Sequence, residues 1–149
     1  MYFDLKNRIY VVTGASGGIG SALVNLLNKE GAELFLIDTD QTSLDELKKK
    51  QATHQNKNYF INSNLKDFKE IKDNLQKPIS GIIHLAGQLE SDNVNTSKKP
   101  IWERAIQNNL TNAYDIIENM IPFFDKNIIG KIILTSSLAY RRGGFDFIP

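Results

Sequence analysis

The sequence contains no cysteine. That excludes a disulfide scaffold, thiolate catalysis and cysteine-ligated metal sites, and it fits a reducing compartment. Histidine is nearly as scarce, with His54 and His84 alone, too few for a histidine-rich metal centre, so no metal is expected. No apolar run approaches the ~18 residues needed to span a bilayer, and no membrane role is expected. Neither sign of charge is in excess. With 18 Lys and Arg against 17 Asp and Glu, the net charge of +1 gives little electrostatic grip on nucleic acid or anionic lipid. The basic clusters at Lys48–Lys50, Lys98–Lys99 and Arg141–Arg142 read as solvated faces in so balanced a chain. The opening MYFDLKNRIYVV shows no basic segment followed by an apolar stretch and a small-residue cleavage site, so a cytoplasmic protein is expected.

What is present is a regular alternation. The 149 residues, 41% hydrophobic and 23% charged, suit one soluble globular domain over residues 1–149. RIYVVTG reads as a buried strand. GIGSALVNLLNKEG reads as a helix closed by Gly31, with Ile19, Leu23, Leu26 and Leu27 at helical spacing. AELFLID, NYFIN, GIIHLAG and KIILTSS are further strands. TSLDELKKK, capped by Thr42 or Ser43, and LKDFKEIKDNLQ are the helices between them. Pro100 opens a long helix, PIWERAIQNNLTNAYDIIENMIPFF, bent or ended near Pro122. Strands apolar on both faces and separated by helices form a parallel sheet covered on both sides. The fold class expected is α/β, a doubly wound, Rossmann-like parallel sheet with five strands.

The turn after the first strand, VVTGASGGIG, carries the chemistry. Gly14 and Gly18 leave room for a diphosphate to approach the backbone, and Gly20 lets the helix pack closely, with its N-terminus facing the anion. Asp38 ends the second strand 18 residues after Gly20. A carboxylate there can accept from the adenine ribose hydroxyls and repel an added phosphate. A helix-capping or turn aspartate is the plain alternative. His84 reads as a hydrogen-bonded buried side chain joining neighbouring strands.

The pattern Thr-Gly-x-x-x-Gly-x-Gly resembles the cofactor turn of the short-chain dehydrogenase/reductase family, and further matches follow in the family's order. HLAG, with Ala86 and Gly87, resembles the Asn-Asn-Ala-Gly motif. NNLTNAY resembles the segment holding the active-site asparagine, here Asn109. GKIILTSS resembles the strand whose end bears the catalytic serine, with Ser137 at that position and Ser136 the weaker alternative. The resemblance implies cofactor contacts at Gly14, Ser16, Gly18, Ile19, Gly20, Asp38, Asn64, Leu65, Ala86 and Gly87, and catalytic roles for Ser137 and Asn109. Asn64 stands where the family usually has an aspartate.

NAD is implied rather than NADP, because Gly17 replaces a basic residue common in NADP-preferring relatives and no arginine follows Asp38. The substrate implied is a small-molecule alcohol or carbonyl compound, and the full-length form is expected to be a homo-oligomer. In the family a tyrosine moves the proton and a lysine four residues on lowers its pKa. Free tyrosine titrates near ~10, so an ammonium must favour phenolate at neutrality. Here that pair is expected just after Pro149, the C-terminal part of the family fold is expected to be missing, and little turnover is expected from residues 1–149 alone. KIILTS is then an exposed apolar edge. Two other functions compete: a non-catalytic dinucleotide-binding sensor or regulatory module, and an epimerase or dehydratase. The latter usually shows Gly-x-x-Gly-x-x-Gly, which the first turn lacks.

Overall fold

The fold is known from a computed structural model, in which residues 5–89 and 99–137 are described. Five strands form one sheet: β1 (Ile9–Thr13), β2 (Glu33–Asp38), β3 (Asn58–Asn62), β4 (Gly81–His84) and β5 (Lys131–Leu134). Their spatial order is β3-β2-β1-β4-β5, and every neighbouring pair is parallel. The chain builds outward from β1 to β3, then crosses back to place β4 on the other side of β1. A crevice opens where the winding reverses, beyond the C-terminal ends of β1, β2 and β4.

Alternation along the strands distributes the core between two layers. On one face Val11, Phe35, Ile37, Ile61 and Ile82 pack with Ile71, Ile116 and Met120. On the other, Val12, Leu34, Leu36 and Ile83 meet Val24, Leu27 and Leu47. Helix α1 (Gly18–Lys29) and helix α2 (Gln41–Gln51) supply the second set. Helix α3 (Lys69–Asn74) and helix α5 (Asn112–Met120) supply the first. Burying each large aliphatic side chain contributes about 1.5–3 kcal/mol, so this double layer carries most of the driving force.

Several local expectations need correction. The buried stripe of α1 is Gly20, Val24 and Leu27, spaced i, i+4, i+7, whereas Ile19 and Leu26 are 73% and 49% exposed. Apolar spacing admitted both faces; the approach to the sheet chose the one holding Gly20. Asp40, not Thr42 or Ser43, caps α2, accepting from Ser43 N at 3.1 Å and Ser43 Oγ at 2.8 Å. Those bonds to Ser43 hold the Asp40 carboxyl below its usual range. Helix α3 is only six residues long, with Asp67 Oδ1 accepting from Lys69 N at its start.

The expected long helix is three pieces and a tail. Helix α4 (Lys99–Ile106) runs into a π-helical turn at Gln107–Thr111, continues as α5, and ends in a 3-10 turn at Ile121–Phe123 containing Pro122. The end near Pro122 agrees with the sequence reading. Cover on both faces does not reach β5, where Ile132, Ile133 and Leu134 are 43–51% exposed. The positive φ of Gly31, +92°, closes α1 as expected.

Candidate functional site

A cleft of about 380 Å³ lies across the C-terminal ends of β1, β2 and β4. Gly14, Asp38, Asn64, Ala86, Gln88 and Asn108 are among the residues that line it. The glycines beneath it differ in what requires them. Gly14 has φ +66°, and a Cβ there would sit 2.8 Å from Ala86 N, so both backbone conformation and the neighbouring loop demand glycine. A Cβ on Gly20 would lie 2.1 Å from Gly14 O, inside the turn itself. Gly18 is different: among the described residues nothing lies within 4 Å of its missing Cβ, and none of them forbids a side chain there.

The same turn opens α1 without a side-chain cap. Gly17 is the N-cap and the first turn holds no acidic residue. The first helical bond runs from Ser21 N to Gly17 O at 2.8 Å, so the preceding amides of the first turn have no intrahelical acceptor. Such an end favours an anion. Ile19, the next residue, projects into solvent at the rim.

Asp38 is held by four donors. Its Oδ2 accepts from Ser16 N at 2.9 Å and Ser16 Oγ at 2.6 Å. Its Oδ1 accepts from Thr39 N at 2.8 Å and, more weakly, from Asp40 N at 3.4 Å. The carboxylate thereby ties the glycine turn to the end of β2. Asn64 Oδ1 accepts from the amide of Lys66 at 3.1 Å, a local turn, and Leu65 is buried with φ +61°. Asn64 and Leu65 both reach the cleft wall.

His84 is buried and joins neighbouring strands, as the sequence reading held. Its Nδ1 lies 2.7 Å from Thr13 Oγ1, and that oxygen also accepts from Ala86 N at 3.3 Å. The hydroxyl has one proton and two lone pairs, so it can pair with Nδ1 in either tautomer of the ring. His84 Nε2 is buried with no hydrogen-bond partner among the described residues. Burial lowers the histidine's pKa.

Asn109 lies in the π turn, at an interruption of the kind often associated with functional sites. Its side chain clamps the loop after β4. Gln88 N donates to Asn109 Oδ1 at 3.0 Å, and Asn109 Nδ2 donates to Gln88 O at 2.9 Å and Ala105 O at 3.0 Å. Asn108 Nδ2 adds a bond to Gln88 Oε1 at 2.9 Å. A Cβ on Gly87 would meet Asn109 Oδ1 at 2.9 Å, so Gly87 allows the loop and the π turn to close together.

The structure thus brings Gly14, Asp38, Asn64, Leu65, Ala86 and Gly87 to one cleft, with Ser16 on Asp38 and Asn109 behind Gln88. Gly20 lies buried beneath the turn, and Gly18 and Ile19 are on its exposed side. Ser137 is exposed just beyond β5 and is not among the cleft-lining residues. Tyr140 lies outside the described residues. Sequence reasoning gave no role to Thr13, Asn108 or Asn112, which also line the cleft. The strand-end position of Thr13 and the asparagine run around Asn109 were the available signals. Tyr2 and Lys6 have tyrosine–lysine spacing, but Lys6 neighbours Gly31 at the opposite, N-terminal end of the sheet. Among the described residues, no group of three His, Cys, Asp or Glu could hold a metal, and no helix is long and apolar enough to cross a membrane.

Comparison with known proteins gives the same pattern a family. A family model described as short chain dehydrogenase matches residues 8–149. An uncharacterised oxidoreductase of Staphylococcus epidermidis is 27% identical over 139 residues, covering 91% of this chain and 60% of that protein. The 3-oxoacyl-(acyl-carrier-protein) reductase of Thermotoga maritima is 26% identical over 141 residues, covering 91% of this chain and 57% of its own. A short-chain dehydrogenase/reductase crystal structure from Brucella melitensis superposes with TM-score 0.86 at 25% identity, over 99% of this chain and 63% of that one. The chain therefore spans about three-fifths of the length of the relatives it matches. With the glycine turn, the strand order and the cleft all in the positions that the family model covers, the chain belongs to the short-chain dehydrogenase/reductase family.

Proposed function

We propose that this chain is the cofactor-binding portion of an NAD-dependent short-chain oxidoreductase acting on a small alcohol or carbonyl compound. The observation that carries the reading is the pairing of an uncapped, anion-favouring helix N-terminus with open space at Gly18. A glycine that no contact among the described residues requires, beside a helix end without a side-chain cap, is explained by a ligand approaching the backbone. Asp38 beside it supplies a carboxylate suited to ribose hydroxyls and unfavourable to a 2′-phosphate. The residues fit a nicotinamide dinucleotide.

In this reading the turn Gly14–Gly20 holds the diphosphate, Asp38 reads the ribose, and Asn64 and Leu65 border the base. Ala86 and Gly87 present a side-chain-poor wall along the cleft. Bound there, the nicotinamide would supply or take a hydride. The chain's own contribution is positional. Asn109 fixes Gln88 and the loop after β4, and three of its side-chain bonds already go to main-chain groups. Its role is therefore to hold geometry rather than to exchange a proton through the side chain. Ser137 has the hydroxyl suited to hydrogen-bonding a substrate oxygen, at the end of the strand next to β4.

Fluorescence titration of NADH into the purified chain, with amide shifts followed along residues 13–20 and at Asp38, tests this. Saturable binding that moves those amides is expected. A folded chain that does not bind, or that binds with shifts elsewhere, refutes the reading.

A further inference from the structure

We propose that the N-terminal end of the sheet, opposite the cleft, is a docking face for an anionic lipid surface. A net charge of +1 over the whole chain conceals a segregation that the fold creates. In a parallel sheet every strand begins at the same end, so the segments leading into the strands share one face. Lys6 and Arg8 lead into β1, Lys57 into β3, Lys77 into β4, and Lys126 and Lys131 into β5. All are exposed except the half-buried Arg8. Three acids stand among these leads. Glu33 pairs with Lys77 at 3.4 Å, Asp125 accepts from Asn127 N at 2.9 Å, and Glu30 is buried.

The last turns of the helices reach the same end, with Lys29, Lys48–Lys50 and Lys72 against Asp73 and Glu118. Those helical lysines answer the helix dipole. The six cations of the strand leads belong to no helix, so their common sign needs another account. At the cleft end the balance reverses: Asp38 and Asp40 follow β2, and Asp67, beside Lys66, follows β3.

Exposed aliphatic side chains among the cations favour lipid over nucleic acid. Ile129, 82% exposed, lies between Lys126 and Lys131, and Ile121, 54% exposed, opens the 3-10 turn after α5. The loops before β4 and β5 are fixed side by side, with Ile79 N donating to Phe123 O at 2.8 Å and Asp125 N to Ile79 O at 2.9 Å. Between them runs a groove of about 440 Å³ walled by Leu75, Pro78, Pro122 and Phe123, with Lys77 and Lys126 on it. Cations beside aliphatic side chains suit a membrane interface, where headgroup phosphates meet the acyl boundary. A nucleic-acid backbone would use the cations alone. Docked by this end, the chain keeps its cleft turned away from the lipid.

The experiment sediments the wild-type chain with vesicles of phosphatidylcholine alone, and of phosphatidylcholine mixed with phosphatidylserine, at low and high salt. Binding to the serine-containing vesicles alone, suppressed by salt, is expected. Each cation near an anionic leaflet contributes about fivefold, so Lys77→Gln/Lys126→Gln/Lys131→Gln should bind about a hundredfold more weakly. Ile129→Ser should weaken vesicle binding about three- to tenfold and leave binding of polyuridylate, read by fluorescence anisotropy, unchanged. Circular dichroism checks each fold; if the triple variant misfolds, the single lysine substitutions replace it, with about fivefold expected from each. The proposal is overturned if wild type does not bind the anionic vesicles, or if the folded variants bind them as wild type does. It is equally overturned if polyuridylate binds more tightly than the vesicles, which would make the face a nucleic-acid surface. NADH titration of the same proteins is a separate readout: its failure refutes the dinucleotide reading and leaves this proposal standing.

Discussion

Three of the four glycines in the turn allow structural need to be separated from ligand need. Gly18→Ala adds a methyl group where none of the described residues comes within 4 Å. Replacing glycine by alanine in a helix contributes about 0.5–1 kcal/mol, and somewhat less at its first position. Thermal stability should therefore hold or rise slightly. Gly20→Ala instead forces a Cβ to within 2.1 Å of Gly14 O and 2.8 Å of Ala15 O. The obstruction is backbone and cannot swing aside, so the helix must shift. Overpacking of this kind costs about 1–3 kcal/mol or more, a large share of a total near ~5–15 kcal/mol. Gly14→Ala should behave like Gly20→Ala, since it adds a left-handed-region penalty of about 1–2 kcal/mol to its clash with Ala86 N. Melting curves rank the variants, and NADH titration follows on those that fold. Gly18→Ala should melt like wild type yet lose at least about tenfold in NADH affinity, equivalent to ~1.4 kcal/mol, with Gly18→Val losing more. If Gly18→Val binds NADH as wild type does, the open space at Gly18 is not where the cofactor approaches, and the site assignment fails.

His84 predicts a pH dependence. Its folded pKa is lowered by burial, so the native state resists a proton that the unfolded chain accepts. Stability is fully present above the unfolded value near ~6.5 and is lost as pH falls below it, with a slope of at most about 1.4 kcal/mol per pH unit. Denaturant melts from pH 7.5 to 5 should show this slope flattened in His84→Asn, and an identical slope in both proteins would refute it. Asn109→Ala removes three hydrogen bonds that hold Gln88 and Ala105. It should cost about 1–3 kcal/mol and speed hydrogen exchange at Gln88 N; unchanged exchange would show that the loop does not depend on the clamp. Gly81→Ala would place a Cβ 2.6 Å from Lys131 O, across the β4–β5 pairing. Loss of β5 amide protection, with β1–β3 retained, is the expected result, and a fully protected β5 would contradict it.

Strand and helix order, the parallel sheet and the glycine turn were legible in the residues, because buried parallel strands are apolar on both faces and the turn needs glycine at fixed offsets. Two misread details share one physical reason. Apolar spacing on α1 allowed Ile19 and Leu26 inward, but packing against the sheet favoured the face where Gly20 lets the backbone close in. The QNNLT segment reads as ordinary helix by composition, and becomes a π turn where the Asn109 side chain reaches the loop after β4.

The sequence by itself determined the class of fold, the family turn and the carboxylate at Asp38, since each depends on residue type at short range along the chain. Only the tertiary structure decided what Asp38 already holds, which glycine faces open space, and how Asn109 engages Gln88. The Ser16–Asp38 and Gln88–Asn109 bonds join residues 22 and 21 apart, and local pattern carries no information about distances that packing alone creates.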